Sequence, residues 1–277
     1  MRNYFPRLLI GYRLLRGEYR NTSAISRNPL GFNFAGNASM ASGLFEPGET
    51  KVFIDVLRKV DVVINIGANV GYYCCIALSH NKKVVAFEPV PSNIKALLRN
   101  IKANQWESRI EVFPMALSNT VGVIDIYGGG TGASLIKGWA DAIDTDSSLV
   151  PCSTLDTVLQ GRFSDSRCLL MVDIEGAEKL MLEGANSFLD MHPKPIWFME
   201  ISVRANQPGG VSINPDLLAT FEKFWSRGYV AWTTHNQNRV VTRSEVQEIA
   251  SGGKDTIHGD TFLFIDEEVH GKFESFI

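Results

Sequence analysis

No apolar run in the 277 residues is long enough to cross a bilayer, which takes about 20 residues. A secretory leader pattern is missing as well, because Arg7, Arg13 and Arg16 interrupt the apolar residues that follow Met1. Both absences predict a cytoplasmic protein. Cysteine is scarce: Cys74, Cys75, Cys152 and Cys168 form no C-x-x-C pair, so neither a disulfide framework nor a thiolate metal site is expected. Histidine, at five scattered residues, gives no short ligand spacing, and no metal is predicted. Positive charge is not in excess. With 27 Lys and Arg against 30 Asp and Glu, a net charge of -3 and a pI near 6.0, the chain has no field that would gather nucleic acid. A small-molecule or glycan substrate is the simpler expectation.

What is present is core-forming material, at 45% hydrophobic and 10% aromatic residues, enough for one large domain. Residues 1–20 carry five arginines against the single acid Glu18, interleaved with Tyr4, Phe5, Leu8, Leu9, Ile10, Leu14 and Leu15. That pattern predicts a basic amphipathic helix, docked on the body or serving as a peripheral membrane or partner contact. Residues 27–50, rich in Gly, Asn, Ser and Pro, read as a connector, so the division is 1–50 for helix and connector and 51–277 for the domain.

From Val60 onward short apolar runs alternate with helical spacing. Strands are expected at 62–66, 83–87, 110–117, 168–174, 196–201, 229–234 and 261–265, with helices at 70–79, 91–104, 177–189 and 217–227. The run 121–130 departs from the alternation and reads as an inserted β segment with a glycine-rich loop. The result is an α/β Rossmann-like domain: a mostly parallel seven-stranded sheet with helices on both faces.

Gly67-Ala68-Asn69-Val70-Gly71 falls at the first strand-to-helix junction, where backbone N–H groups can face an anionic ligand group. The dinucleotide fingerprint requires a third glycine where this chain has Tyr72, which disfavours a nicotinamide-dependent oxidoreductase. Glu88 closes the second strand about 20 residues on, where an acid can accept hydrogen bonds from both ribose hydroxyls of a nucleoside.

The series Ile64 to Gly71, Ala86-Phe87-Glu88-Pro89, Ala116-Leu117-Ser118, Thr154-Leu155-Asp156 and Val172 to Glu178 resembles the motifs of the FkbM-type methyltransferase family over roughly residues 62–203. The resemblance implies the class I methyltransferase fold and S-adenosylmethionine as methyl donor. It also implies O-methylation, often of a sugar, a glycan or a natural-product hydroxyl. The implied donor-binding residues are Asn65, Gly67, Asn69, Gly71, Glu88, Pro89, Ala116, Leu117, Ser118 and Asp173. Two positions depart from the family, which usually has Asp where this chain has Asn65 and Lys where it has Met171.

Asp173 is expected at the end of the fourth strand, beside the first and at the switch point where such sheets bind ligands. With Glu175, Glu200 and His235 it forms the catalytic candidates, since carboxylates or an imidazole above strand ends can orient an acceptor hydroxyl or take its proton. Glu178 also suits a helix start, where acids favour the dipole. A non-catalytic donor-binding protein and a homo-oligomer both remain compatible with the sequence. The absence of a D-P-P-Y type sequence after the fourth strand disfavours base methylation.

Overall fold

The computed structural model describes residues 24–142, 146–234, 239–269 and 271. The expected amphipathic segment 1–20 and His235 lie outside the described residues. The first elements are β1 (Ser26–Arg27), β2 (Asn33–Phe34), α1 (Ala38–Ala41) and α2 (Pro47–Leu57). An alternating run follows: β3 (Val62–Ile66), α3 (Tyr72–Ser79), β4 (Lys83–Phe87), α4 (Pro91–Lys102) and β5 (Ile110–Phe113). Then come β6 (Ala116–Leu117), β7 (Gly122–Tyr127), β8 (Ser147–Ser153) and α5 (Leu155–Val158). The remainder is β9 (Cys168–Val172), α6 (Glu178–Glu183), α7 (Asn186–Leu189), β10 (Ile196–Glu200), α8 (Leu217–Trp225), β11 (Tyr229–Thr233), β12 (Val240–Val241), α9 (Arg243–Ala250) and β13 (Thr261–Asp266).

The main sheet runs β12-β11-β13-β10-β9-β3-β4-β5. Its strands from β10 to β5 are mutually parallel, while β13 runs antiparallel to both β10 and β11. The sheet therefore has eight strands rather than the expected seven. The extra one, β12, pairs antiparallel with β11 through Val240 and Val241, too short a segment for periodicity to register. Buried β-branched residues on both faces explain the central strands: β3 is buried along its whole length, as a parallel strand under helices on both sides must be.

The expected strand 110–117 is divided in two. After Phe113 the chain meets Pro114, which has no N–H for a ladder, and Ala116–Leu117 pair instead with Cys152 and Ser153. The inserted segment is thus a separate three-stranded sheet, β6-β8-β7, rather than a single added strand. The expected helix 177–189 is broken at Gly184, where a Cβ would stand 2.2 Å from the Ser118 carbonyl oxygen.

The sheet separates two apolar layers. One holds Ile64, Leu170, Trp197, Phe221, Phe224 and Phe264, with Phe224 and Phe264 stacked at 3.8 Å between centroids. The other holds Val63, Cys74, Ile76, Leu97, Met171 and Phe198, and also Phe32 and Phe34, which are fully buried. Phe32 and Phe34 of the segment 27–50, which composition suggests as a connector, are therefore built into the core. Asn100 fastens them there, exchanging hydrogen bonds with both backbone groups of Ala35 at 2.8 and 2.9 Å. All four cysteines are buried and free, and no described helix is long and apolar enough to cross a membrane.

Candidate functional site

The site forms where β3, β4 and β9 end together. Gly67 takes a φ of +82°, and a Cβ there would lie 1.8 Å from the Asp173 carbonyl oxygen, so only glycine lets the β3 loop pass against the end of β9. Asp173 N–H donates to the Ile66 carbonyl at 3.1 Å, locking the same two strand ends.

The loop turns its N–H groups inward. Gly67 and Ala68 both donate to the Phe87 carbonyl at 3.0 and 2.9 Å, Asn69 donates to Glu88 Oε2 at 2.7 Å, and Gly71 donates to the Ala68 carbonyl at 2.8 Å. The sequence reading of this turn as an anion cradle is corrected accordingly: those donors are already used, and the Glu88 carboxylate sits among them. Such a loop repels a pyrophosphate and accepts a ligand that brings hydrogen-bond donors.

Glu88 is almost fully buried at the end of β4. Burial pushes its carboxyl up from the ordinary range, opposed by hydrogen bonds from Val90 N–H, Asn69 N–H and the Asn93 amide. Its Oε1 accepts from Val90 N–H at 2.9 Å and from Asn93 Nδ2 at 3.2 Å, while Oε2 accepts the single bond from Asn69. A carboxylate oxygen can accept about two hydrogen bonds, so Oε2 keeps capacity for a ligand.

A cleft of about 560 Å3, counted to its open mouth, runs from this loop across the strand ends. Of the residues singled out in the sequence, Gly67, Asn69, Glu88, Pro89, Ala116, Leu117, Asp173 and Glu175 line it. Four others do not. Asn65 faces α3 and donates to Cys74 Sγ at 3.3 Å. Gly71 caps α3 with a φ of +87° and packs against Leu97. Ser118 is buried, its N–H bonded to the Ser153 carbonyl and its hydroxyl to Asn119. Glu200, at the end of β10, is not part of the wall, though its charge acts on Asp173. Met171 lies in the apolar layer, level with Asn65 in the sheet register, so the two departures from the family motif are neighbours in the core.

The acids converge at the end of β9. Burial pushes the Asp173 carboxyl well above its usual range, and the neighbouring Glu200 and Glu175 add to the effect. Glu200 is pushed up to about 8, by burial first and then by Glu175 and Glu46. Glu178, buried at the start of α6, is pushed up to about 7 by burial and accepts from Gly176 N–H at 2.9 Å. This pair of roles at one helix start joins dipole and loop bonding, as its position suggests. Among the described residues no group of three or more His, Cys, Asp or Glu is arranged to hold a metal ion.

Over the cleft lies the segment 128–142. Gly130, Thr131, Ala133 and Leu135 form part of the wall. Trp139 Nε1 donates to Glu175 Oε2 at 2.7 Å, and Ser134 Oγ donates to the Glu175 carbonyl at 2.5 Å. The Trp139 ring rests on Gly176, where a Cβ would come within 2.5 Å of it, and Glu175 itself holds a φ of +55°. Sequence reasoning missed Asn93, Ser134, Trp139 and Glu46, whose Oε2 accepts from Tyr73 Oη at 2.8 Å. Only Asn93 left a trace, as a polar residue in the apolar stripe of α4.

A mostly parallel sheet with a glycine turn after β3, an acid closing β4 and a further acid at the switch point defines a Rossmann-like methyltransferase. The family model for the FkbM methyltransferase domain matches residues 65–231, and the chain belongs to that family. No curated protein matches. Among solved structures, the fold is similar to a putative O-methyltransferase from Klebsiella pneumoniae, with 11% identity over 95% of this chain and 93% of that one and a TM-score of 0.45. A cofactor-bound protein from MTB has 13% identity over 94% and 90%, with a TM-score of 0.44. A putative RNA methyltransferase from Pyrococcus horikoshii has 11% identity over 79% and 82%, with a TM-score of 0.38.

Proposed function

We propose that the protein transfers a methyl group from S-adenosylmethionine to a hydroxyl oxygen of a sugar, glycan or natural-product acceptor. The observation that carries the donor assignment is the pair of buried acceptors at the β3 and β4 ends: Glu88 Oε2, with capacity to spare, and Asn69 Oδ1, buried without a partner. These atoms fit a nucleoside, which brings hydroxyl and amine donors and no phosphate. The inward-turned loop argues against the nicotinamide dinucleotide alternative for the same reason.

When bound, S-adenosylmethionine supplies a methyl group on a sulfonium that needs no further activation. The chain supplies position and proton handling. Glu88 and Asn69 hold the nucleoside, and the 128–142 segment covers part of the cleft. Asp173 orients the acceptor hydroxyl and takes its proton, with Glu200 near enough to act on its charge and Glu175 tied to Trp139. The acids around Asp173 disfavour its ionised form, and a cation close by would favour it.

Calorimetry with S-adenosylhomocysteine is the direct test. Glu88→Ala should lower affinity about 30-fold, the equivalent of roughly 2 kcal/mol for hydrogen bonds to a buried charge. Glu88→Gln, which keeps the side chain's shape, should lower it about tenfold. Unchanged affinity in both variants would remove Glu88 from the site. Labelled methyl transfer to a panel of polyols and phenols, with the product bond identified by mass spectrometry, tests the oxygen acceptor and separates an enzyme from a donor-binding protein without turnover.

A further inference from the structure

Helix α4 buries Asn93, Ala96, Leu97, Asn100 and Ile101, a regular apolar stripe in which two positions are polar. Asn100 is fully accounted for: besides its two bonds to Ala35, its Nδ2 donates to the Val70 carbonyl at 2.9 Å. Asn93 is not. It is 2% exposed, and its Nδ2 donates to Glu88 Oε1 at 3.2 Å and to the Gly130 carbonyl at 2.9 Å. Both partners are acceptors, so they fix which end of the amide is nitrogen. Its Oδ1 is then buried without a hydrogen-bond partner, on a residue that lines the cleft. An unpaired acceptor in that position lowers stability, and the two bonds made by Nδ2 do not account for it.

We propose that Asn93 is a ligand-binding residue of the donor cleft, its Oδ1 accepting a hydrogen bond from a hydroxyl or amine of the bound nucleoside. The same side chain ties the 128–135 segment to Glu88 through its Nδ2, so the group that reads the nucleoside also holds the cover in place. This rests on the S-adenosylmethionine reading and goes beyond it by naming a contact and its chemistry. The ligand groups that qualify are the ribose 2′-hydroxyl, the ribose 3′-hydroxyl and the exocyclic amine of adenine.

The test measures Kd by calorimetry for S-adenosylhomocysteine and for three analogues that each lack one donor: 2′-deoxy, 3′-deoxy and 6-deamino. The wild-type chain should lose about tenfold or more with the analogue whose missing group meets Oδ1. Asn93→Ala should bind the parent about tenfold more weakly and show no further loss with that analogue, because the pair is broken from either side. Should Asn93→Ala fail to fold, Asn93→Ser is run through the same panel. Loss by the same factor for the parent and all three analogues means that Asn93 only shapes the loop, and overturns the proposal, as does unchanged affinity. A wild-type chain that binds none of the four overturns the donor reading itself, which distinguishes the two failures.

Discussion

If Asp173 is the base proposed above, its surroundings have a measurable consequence. In the cleft its carboxyl is pushed well above the usual carboxylate range by burial and by the neighbouring Glu200 and Glu175. A sulfonium placed beside it reverses the balance, because an opposite charge within a few ångströms favours the ionised form. Binding of S-adenosylmethionine at pH 7 should therefore release up to about one proton, and S-adenosylhomocysteine, which lacks the sulfonium, should release less. Calorimetry in phosphate and in Tris reads this as a difference in binding enthalpy, and Asp173→Asn should remove it. Equal enthalpies in the two buffers for the wild-type chain would sink the idea. Asp173 was legible from its place at a strand end, as was Glu88. Ser134 and Trp139 were not, because their roles depend on contacts across 41 and 36 residues of sequence that no local pattern records, and Asn93 showed only as a polar position in the stripe of α4.

At the scale of elements, the parallel strands and their helices could be read because each is a short apolar run bounded by a turn residue. The small sheet could not. Its strands β6, β7 and β8 carry exposed Val123 and Leu149 and bury little, so alternation is weak, and β8 pairs with two partners that precede it in the chain. Yet this insertion carries the cover of the cleft, and its latch is testable. Gly176→Ala would put a methyl 2.5 Å from the Trp139 ring at a φ of +95°, forcing the ring away. Trp139→Phe keeps the ring and deletes only the bond to Glu175. Limited proteolysis should cut the 128–142 segment fastest in Gly176→Ala, more slowly in Trp139→Phe and slowest in the wild type. S-adenosylhomocysteine should protect the wild type most. Equal cutting rates in all three chains would show that Trp139 does not latch the segment.

Across the whole molecule, one feature of the core sets how stability depends on pH. Folding encloses several carboxyls whose affinity for protons burial raises: Glu88, Asp173, Glu175, Glu178 at about 7 and Glu200 at about 8. Over the interval between the ordinary carboxylate range and pH 8, the native state then binds more protons than the unfolded chain, so stability falls as pH rises. Its contribution from these groups is complete below about pH 4.5 and lost through pH 7 to 8. Two carboxyls work in the opposite sense. Asp61, hydrogen-bonded to Arg167, and Glu245, paired with Arg239, are held below their usual range, so they lose stability only in more acid solution. The melting temperature should accordingly peak near pH 5 and decline toward pH 8. Glu178→Gln keeps an acceptor for Gly176 N–H while removing one titration, and it should flatten the decline by on the order of 2 kcal/mol between those limits. Saturating S-adenosylmethionine should flatten it further, since a bound cation compensates the ionised acids around Asp173. Thermal unfolding followed by circular dichroism from pH 5 to 8, for both chains with and without donor, reads all of these. A wild-type melting temperature that rises across that range would mean that the buried acids are charged in the native state, and the account of Asp173 as a base awakened by its ligand would fall with it.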